Sequence, residues 1–246
     1  MKIIGVIPAR YHSTRLPGKP LADICGKPMI WWVYQNARKV KEIDEVYVAT
    51  DDVRIEEACK QFGAKVVMTA SDLETGTDRV YEVAKLFEAD FYVVINGDEP
   101  LIPADCIAKC IPSLELNPPD IYVSNLMTDF HDPVEVLDPT NLKIVTNRDG
   151  IGLFISRSPI PFPRGNMDYT FHKFVGVSVF SKAALDYYMN TPRGPIEKIE
   201  ENDSFRFIEN RLDVHYISVE CHALSVDTPK DLEQVCAILK GASGGV

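Results

Sequence analysis

Four short apolar runs alternate with three amphipathic stretches over the first hundred residues, and this alternation constrains the fold more than any other feature of the chain. The runs are residues 2–8, ending in Pro8, then 46–50, 65–68 and 91–95. Between them, Pro28 opens a helical stretch to Val40, since proline is tolerated in a first turn. Asp51-Asp52 starts a second helix to about Phe62, and a third runs from Asp78 to Phe87. Continuous apolar strands between amphipathic helices predict an α/β fold, a mostly parallel, doubly wound, Rossmann-like sheet covered on both faces. Such a sheet binds ligands beyond the carboxyl ends of its strands. The loops after Pro8, Thr50, Met68 and Ile95 are therefore the expected places for chemistry.

Beyond residue 120 the rhythm changes. Shorter strands are predicted at 121–127, 142–146, 152–156 and 175–180, separated by turns such as Ser158-Pro159-Ile160-Pro161-Phe162-Pro163. A helix is predicted over 197–210, a strand over 214–219, and a C-terminal helix over 229–239 announced by Asp227-Thr228-Pro229. The tail 241–246 reads as frayed. The whole of 1–246 reads as a single domain in which roughly 128–175 form a hairpin excursion suited to a ligand site and to dimer contact.

The composition excludes several roles. With 246 residues, 46% hydrophobic and 25% charged, the chain is long and apolar enough for a large folded domain. Its formal net charge of -10 disfavours nucleic acid and anionic membrane as partners. The N-terminus has too short an apolar core for a signal peptide, and no run is long enough to span a bilayer, so a cytoplasmic location is expected. None of the six cysteines falls at zinc spacing, and they read as buried reduced thiols. Cys106 and Cys110, four apart, would share a face if helical.

The loop after the first strand reads Pro8-Ala9-Arg10-Tyr11-His12-Ser13-Thr14-Arg15-Leu16-Pro17-Gly18-Lys19-Pro20. Cations fixed at a strand end beside backbone N–H groups suit a triphosphate, whose charge must be held and then redistributed. On composition alone, a solvated basic turn explains the loop equally well. Neither the G-x-x-x-x-G-K-[ST] phosphate loop nor the dinucleotide glycine pattern is present.

This loop, continued by Gly26-Lys27-Pro28-Met29-Ile30, resembles the signature of the 3-deoxy-manno-octulosonate (Kdo) cytidylyltransferases. Further blocks match in order: Val48-Ala49-Thr50-Asp51-Asp52, Thr75-Gly76-Thr77-Asp78-Arg79, Gly97-Asp98-Glu99-Pro100-Leu101-Ile102, Asn141-x-Lys143, Phe154-x-Ser156-Arg157 and Val226-Asp227-Thr228-Pro229. The resemblance implies a nucleotide-diphospho-sugar transferase-like fold and a homodimer. It also implies Mg²⁺-dependent transfer of CMP from CTP to a small anionic acceptor, with release of pyrophosphate. Arg10, Ser13, Arg15 and Lys19 would hold the CTP phosphates, with Pro8 and Ala9 beside them. Thr75, Gly76, Thr77 and Arg79 would lie on the nucleotide side, the glycine letting backbone approach the ligand. Asp98 and Asp227 would bind Mg²⁺, since hard carboxylate oxygens are what that ion uses beside phosphates. Arg15, Lys19, Asp98 and Asp227 would form the catalytic set. Asp227 can equally cap a helix, and the two roles are compatible because a cap needs one oxygen. His12 reads as a bystander.

The acceptor side departs from the family pattern. Phe174 stands where the family has histidine and Ser178 where it has tyrosine. Asp203 and Ser204 replace glutamate and glutamine, and Asn96 replaces glutamine. A site deprived of such hydrogen bonds discriminates less well or selects another ligand. Asn96, Arg157, Lys173 and Asp203 remain as acceptor-binding candidates, with Arg157 as a bidentate clamp on a carboxylate or phosphonate. The expected acceptor is a Kdo-like sugar acid. The alternatives are an amino-sugar acid or phosphonate, a different nucleotide such as UTP, and a nucleotide-binding regulator without catalysis.

Overall fold

The structure, a computed structural model, describes residues 1–13, 15–113, 121–165, 168–221 and 223–243. Thr14 of the basic loop and the last three residues of the expected frayed tail lie outside these. The chain divides into two compact units, residues 1–108 with 222–246, and residues 109–221.

The first unit opens with β1 (Ile3–Ala9), followed by a 3₁₀ turn at Lys19–Leu21 and a minimal hairpin of β2 (Asp23–Ile24) and β3 (Lys27–Pro28). Then come α1 (Met29–Ala37), β4 (Glu45–Thr50), α2 (Val53–Gln61), β5 (Lys65–Met68), α3 (Gly76–Leu86), β6 (Phe91–Ile95) and α4 (Ala104–Cys110). Four strands pair in parallel in the order β6-β1-β4-β5, as the alternation predicted. β1 pairs β6 only as far as Val6↔Val94, so Pro8, which has no N–H to give, lies past that ladder's last rung. Ile4, Val6, Ile7, Val48, Val93 and Ile55 are fully buried in this unit.

The second unit holds β7 (Val123–Asp129), α5 (Pro133–Leu137), β8 (Lys143–Thr146), β9 (Gly152–Ser156), β10 (His172–Ser181), α6 (Lys182–Asn190), α7 (Pro195–Glu200), α8 (Phe205–Ile208) and β11 (His215–Ser218). β10 pairs antiparallel with β7 and with β8, β8 pairs antiparallel with β9, and β11 lies parallel to β7. The helix expected over 197–210 is instead two short ones. Glu201 between them takes a left-handed φ of 52°, and the Asn202 side chain accepts from Ser204 N–H at 3.0 Å. Asn, Asp and Ser compete for backbone hydrogen bonds in this way and interrupt helices.

The chain returns to the first unit with α9 (Pro229–Ser243), which is longer than expected and takes in part of the tail that reads as frayed. Val226 and Val235 join Ile24 and Met29 in a buried cluster, with Trp32, Leu101, Leu232 and Cys236 packed around it. That cluster fixes the start of α9 against α1 and the small hairpin, and so fixes Asp227.

Candidate active site

Two side-chain networks tie the carboxyl-end loops of the parallel sheet together, both within the first unit. In one, Lys19 Nζ donates to Asp98 Oδ2 at 2.7 Å and to Asp227 Oδ1 at 2.9 Å. Arg15 Nη2 lies 3.0 Å from the same Asp227 oxygen. The loop after β1, the turn after β6 and the approach to α9 thus meet on one ammonium. Burial depresses the Lys19 pKa, but Asp98 and then Asp227 outweigh it, and the net direction is upward. Lys19 therefore stays cationic at neutral pH. The approach of β1 to β6 is close here: a Cβ on Gly97 would stand 3.0 Å from the Pro8 carbonyl oxygen. Asp98 is locked further by Val226 N–H, which donates to the Asp98 carbonyl at 2.9 Å.

Asp227 does not cap α9. Thr228 Oγ1 accepts from Asp231 N–H at 3.4 Å, while Asp231 Oδ2 accepts from Thr228 N–H at 2.8 Å and Asp227 N–H at 3.1 Å. This is the reciprocal pattern of a capping box, and it leaves the Asp227 carboxylate turned to Arg15 and Lys19. The helix-cap alternative for Asp227 is corrected accordingly.

The second network centres on Arg79. Its side chain is buried, with Nη1 donating to Thr69 Oγ1 at 2.6 Å and the Ala70 carbonyl at 3.1 Å, and Nη2 donating to Asp51 Oδ2 at 2.9 Å. Arg79, expected on the nucleotide side, braces the loops after β4 and β5 against α3, because a buried guanidinium must be paired. Thr75 and Asp78 form a capping box at the start of α3, at 3.0 and 2.8 Å, so the Thr75 hydroxyl serves the helix. Gly76 has a packing reason: its Cβ would press on the Pro8 ring at 3.3 Å. Thr77 is buried on the same helix, and Ala9 is buried as the last residue of β1.

Arg10 and Arg15 are exposed on the basic loop and Ser13 is half-buried. The loop is pinned from within. Gly18 N–H donates to the Tyr11 carbonyl at 3.0 Å, and Gly18 has φ 68°, with its missing Cβ facing the Tyr11 ring at 3.2 Å. The other anchor was not foreseen from sequence. Arg54 lies 3.3 Å over the Tyr11 ring and forks onto Asp52, through Nε at 2.9 Å and Nη2 at 2.6 Å. Its one sequence signal is the Asp52-x-Arg54 spacing at a helix start.

The acceptor candidates divide between the units, Asn96 in the first and Arg157, Lys173 and Asp203 in the second. Arg157 N–H donates to Glu200 Oε2 at 2.9 Å, and its Nη1 donates to the Pro139 carbonyl at 3.1 Å. Lys173 is largely buried, with Nζ 3.6 Å from Glu135 Oε2. Between the strands that carry them lies Lys143, fully buried, whose ammonium donates to the carbonyls of Asp138 (3.1 Å), Asn141 (2.8 Å) and Arg157. Burial lowers the Lys143 pKa, partly offset by Asp138. Ser178 donates to Asn125 Oδ1 on the neighbouring strand β7. Asp203 accepts Arg206 N–H through its carbonyl at 3.1 Å.

The donor set at Lys19 can hold a small hard cation. Two carboxylates converge within 2.7 and 2.9 Å of a single nitrogen, and among the described residues no group of three or more His, Cys, Asp and Glu offers a fuller cage. Mg²⁺ beside phosphates is bound in that sparse manner, with one or two carboxylates and the remaining ligands from phosphate and water. Among the described residues no helix is long and apolar enough to cross a membrane.

The 3-deoxy-manno-octulosonate cytidylyltransferase of Solibacter usitatus is 42% identical over 243 residues, covering 98% of this chain and 96% of its own. The 8-amino-3,8-dideoxy-manno-octulosonate cytidylyltransferase of Shewanella frigidimarina is 39% identical over 240 residues, covering 95% of this chain and 97% of its own. A solved structure of a CMP:2-keto-3-deoxy-manno-octonic acid synthetase complexed with CTP superposes with a TM-score of 0.91 at 38% identity, covering 98% of this chain and 100% of that one. The family model described as cytidylyltransferase matches residues 4–215, and the chain belongs to the cytidylyltransferase family.

Proposed function

We propose that this protein transfers CMP from CTP to an eight-carbon sugar acid of the Kdo class and releases pyrophosphate. The observation that carries the reading is the meeting of Lys19 and Arg15 with Asp98 and Asp227 at the carboxyl end of the parallel sheet. An acceptor hydroxyl oxygen forms the new bond to the α-phosphorus. The bond to the bridging oxygen breaks, pyrophosphate leaves with the electron pair, and the hydroxyl proton passes to solvent. Lys19 and Arg15 stabilise the charge that builds on the leaving group, with Arg10 and Ser13 gripping the triphosphate from the same loop. Asp98 and Asp227 would hold Mg²⁺, which when bound supplies charge neutralisation and a more acidic acceptor hydroxyl. Arg79 acts at one remove, holding the nucleotide-side loops in place. Arg157 and Lys173 are the two candidate acceptor clamps, and Arg157 is the one whose planar guanidinium suits a carboxylate bidentately.

Pyrophosphate release with CTP and Mg²⁺, measured against Kdo, 8-amino-Kdo, other amino-sugar acids and phosphonates, tests the reading. Turnover with Kdo supports it, and no release with any acid points to the regulator alternative. The altered residues Asn96, Phe174, Ser178 and Asp203 leave room for a second acceptor, the 8-amino sugar acid for which the Shewanella relative is named. The ratio of kcat/KM for the two acids decides between them. Self-association is part of the proposal: Val134, Leu137, Leu153 and Phe162, within residues 128–175, expose large apolar side chains. Light scattering of the purified protein at twice the monomer mass is the expected result.

A further inference from the structure

Cys25 occupies a position that a cysteine has no conformational reason to hold. It is the first residue of the two-residue turn between β2 and β3, with φ 52°, followed by Gly26 with φ 83°. Turns with both central residues left-handed select Asn, Asp or Gly, whose side chains tolerate or stabilise that region. A side chain kept in a disfavoured conformation points to a function for the side chain.

What lies against it is a second cysteine. Cys25 Sγ contacts the Cys236 carbonyl at 3.8 Å, and Cys236 Sγ contacts the Asp23 carbonyl at 4.0 Å. The Cys25 thiol therefore sits over the backbone of Cys236, and the Cys236 thiol over the backbone of Asp23, two residues before Cys25, across the seam between the small hairpin and α9. Cys25 is exposed and Cys236 half-buried, whereas Cys59, Cys106 and Cys110 are buried. We propose that Cys25 and Cys236 form a reversible disulfide that staples the β2–β3 turn to α9, with small-molecule disulfides as the oxidant.

The chemistry balances in two exchanges. One cysteine thiolate attacks a sulfur of oxidised glutathione, forming a mixed disulfide and expelling one glutathione thiolate. The second cysteine then attacks the protein sulfur of that mixed disulfide, closing the Cys25–Cys236 bond and expelling the second glutathione. The protein loses two hydrogens and two glutathiones are reduced. Cys25 is held above the ordinary thiol pKa, by desolvation first and then by Cys236, with Lys240 pulling it down. The thiolate is thus scarce at neutral pH, and the exchange accelerates as pH rises.

The staple reaches the candidate active site through the chain. Lys19 precedes the stapled turn and Asp227 precedes the stapled helix, so closure restrains both segments whose side chains meet at 2.9 Å. The inference does not depend on the reaction assigned above, because its readout is covalent.

The test is to equilibrate the full chain with oxidised glutathione at mildly alkaline pH, quench with acid, alkylate and digest. The expected result is a linked peptide pair containing Cys25 and Cys236, two fewer alkylated cysteines, reversal by dithiothreitol, and a Tm raised by about 5 °C or more. Hydrogen exchange over residues 229–239 slows several-fold in the oxidised form. Cys25→Asn abolishes the link, and because Asn suits the left-handed turn it leaves the reduced protein at least as stable. Full alkylation of both cysteines after oxidation, glutathione adducts that persist without closing, or pairing with Cys221 would each overturn the proposal.

Discussion

Replacing Lys19 by Met keeps the aliphatic stem and deletes the charge that two carboxylates share. The ammonium stands 2.7 Å from Asp98 and 2.9 Å from Asp227, so their oxygens are no farther apart than those two contacts laid end to end. Two like charges about 5 Å apart at an effective dielectric of about 20 repel by about 3 kcal/mol. The carboxylate side chains are 26% and 23% exposed, so solvent screens part of this, and about 2 kcal/mol is the expected net cost at neutral pH. For a chain of this length that corresponds to a fall in Tm of roughly 4–8 °C.

Asp98 and then Asp227 outweigh burial and hold the Lys19 pKa above its usual value, so the stability that its charge contributes is fully present at neutral pH and is lost only as pH rises through that raised pKa. The Lys19→Met deficit in urea midpoint is therefore full at neutral pH and shrinks in strong alkali. Millimolar Mg²⁺ should raise the variant's Tm more than the wild type's, because a cation binding only the folded state stabilises it by mass action. CMP transfer should fall by about a hundredfold or more, since charge on the leaving group loses its partner. A deficit that is equal at neutral pH and in strong alkali, with no extra response to Mg²⁺, would refute the reasoning.

Other substitutions separate roles that lie close together in the chain. Thr228→Ala should cost about 1 kcal/mol in a denaturant melt through the lost cap, with turnover kept within a few-fold, whereas Asp227→Asn should leave the melt little changed and cut turnover by about a hundredfold. Arg54→Ala removes a half-exposed fork on Asp52 and a stack on Tyr11, and should lower the urea midpoint slightly at neutral pH. Arg54 holds the Asp52 pKa below the usual carboxylate range, so that contribution is present above about pH 4 and lost as pH falls further, and the urea midpoints of variant and wild type should converge in acid. Glu197→Ala strands the buried Arg206 guanidinium, which bonds Glu197 through Nε at 2.8 Å; a loss of about 3–5 kcal/mol by calorimetry is expected.

The first unit was legible because one period dominates it. Strands at 46–50, 65–68 and 91–95 stand within a residue of β4, β5 and β6, since a run of apolar residues between capped helices has few other places to go. α6 was not recognised, and the reason is local. Ser181 is both the last residue of β10 and the cap of α6, accepting from Ala184 N–H at 3.1 Å, so no loop punctuates the change. β10 itself begins at His172, earlier than the apolar run, because Lys173 and Phe174 pair with Thr128 and Met127 whatever their polarity. The helix expected over 197–210 failed for the opposite reason: its helical residues are interrupted by three side chains that prefer turns.

The candidate site divides along a similar line. Single residues of the charged cluster could be named from motifs, but their partnership could not, because Lys19 and Asp227 are separated by almost the whole chain and no pattern of neighbours encodes a long-range ion pair. Arg79 illustrates the cost of that blindness. In a motif it is a cation beside a nucleotide, and in space its charge is consumed by Asp51 and two loops. The same reasoning applies to the acceptor side. Several polar groups there already satisfy one another: Ser178 with Asn125, Lys173 with Glu135, and Lys143 with three carbonyls. A substitution that shortens one of them first alters an internal hydrogen bond and only through it the surface offered to a ligand. Charge set at the ends of strands survives such drift because it acts over distance, whereas discrimination between similar hydroxy acids rests on individual hydrogen bonds and changes with each of them.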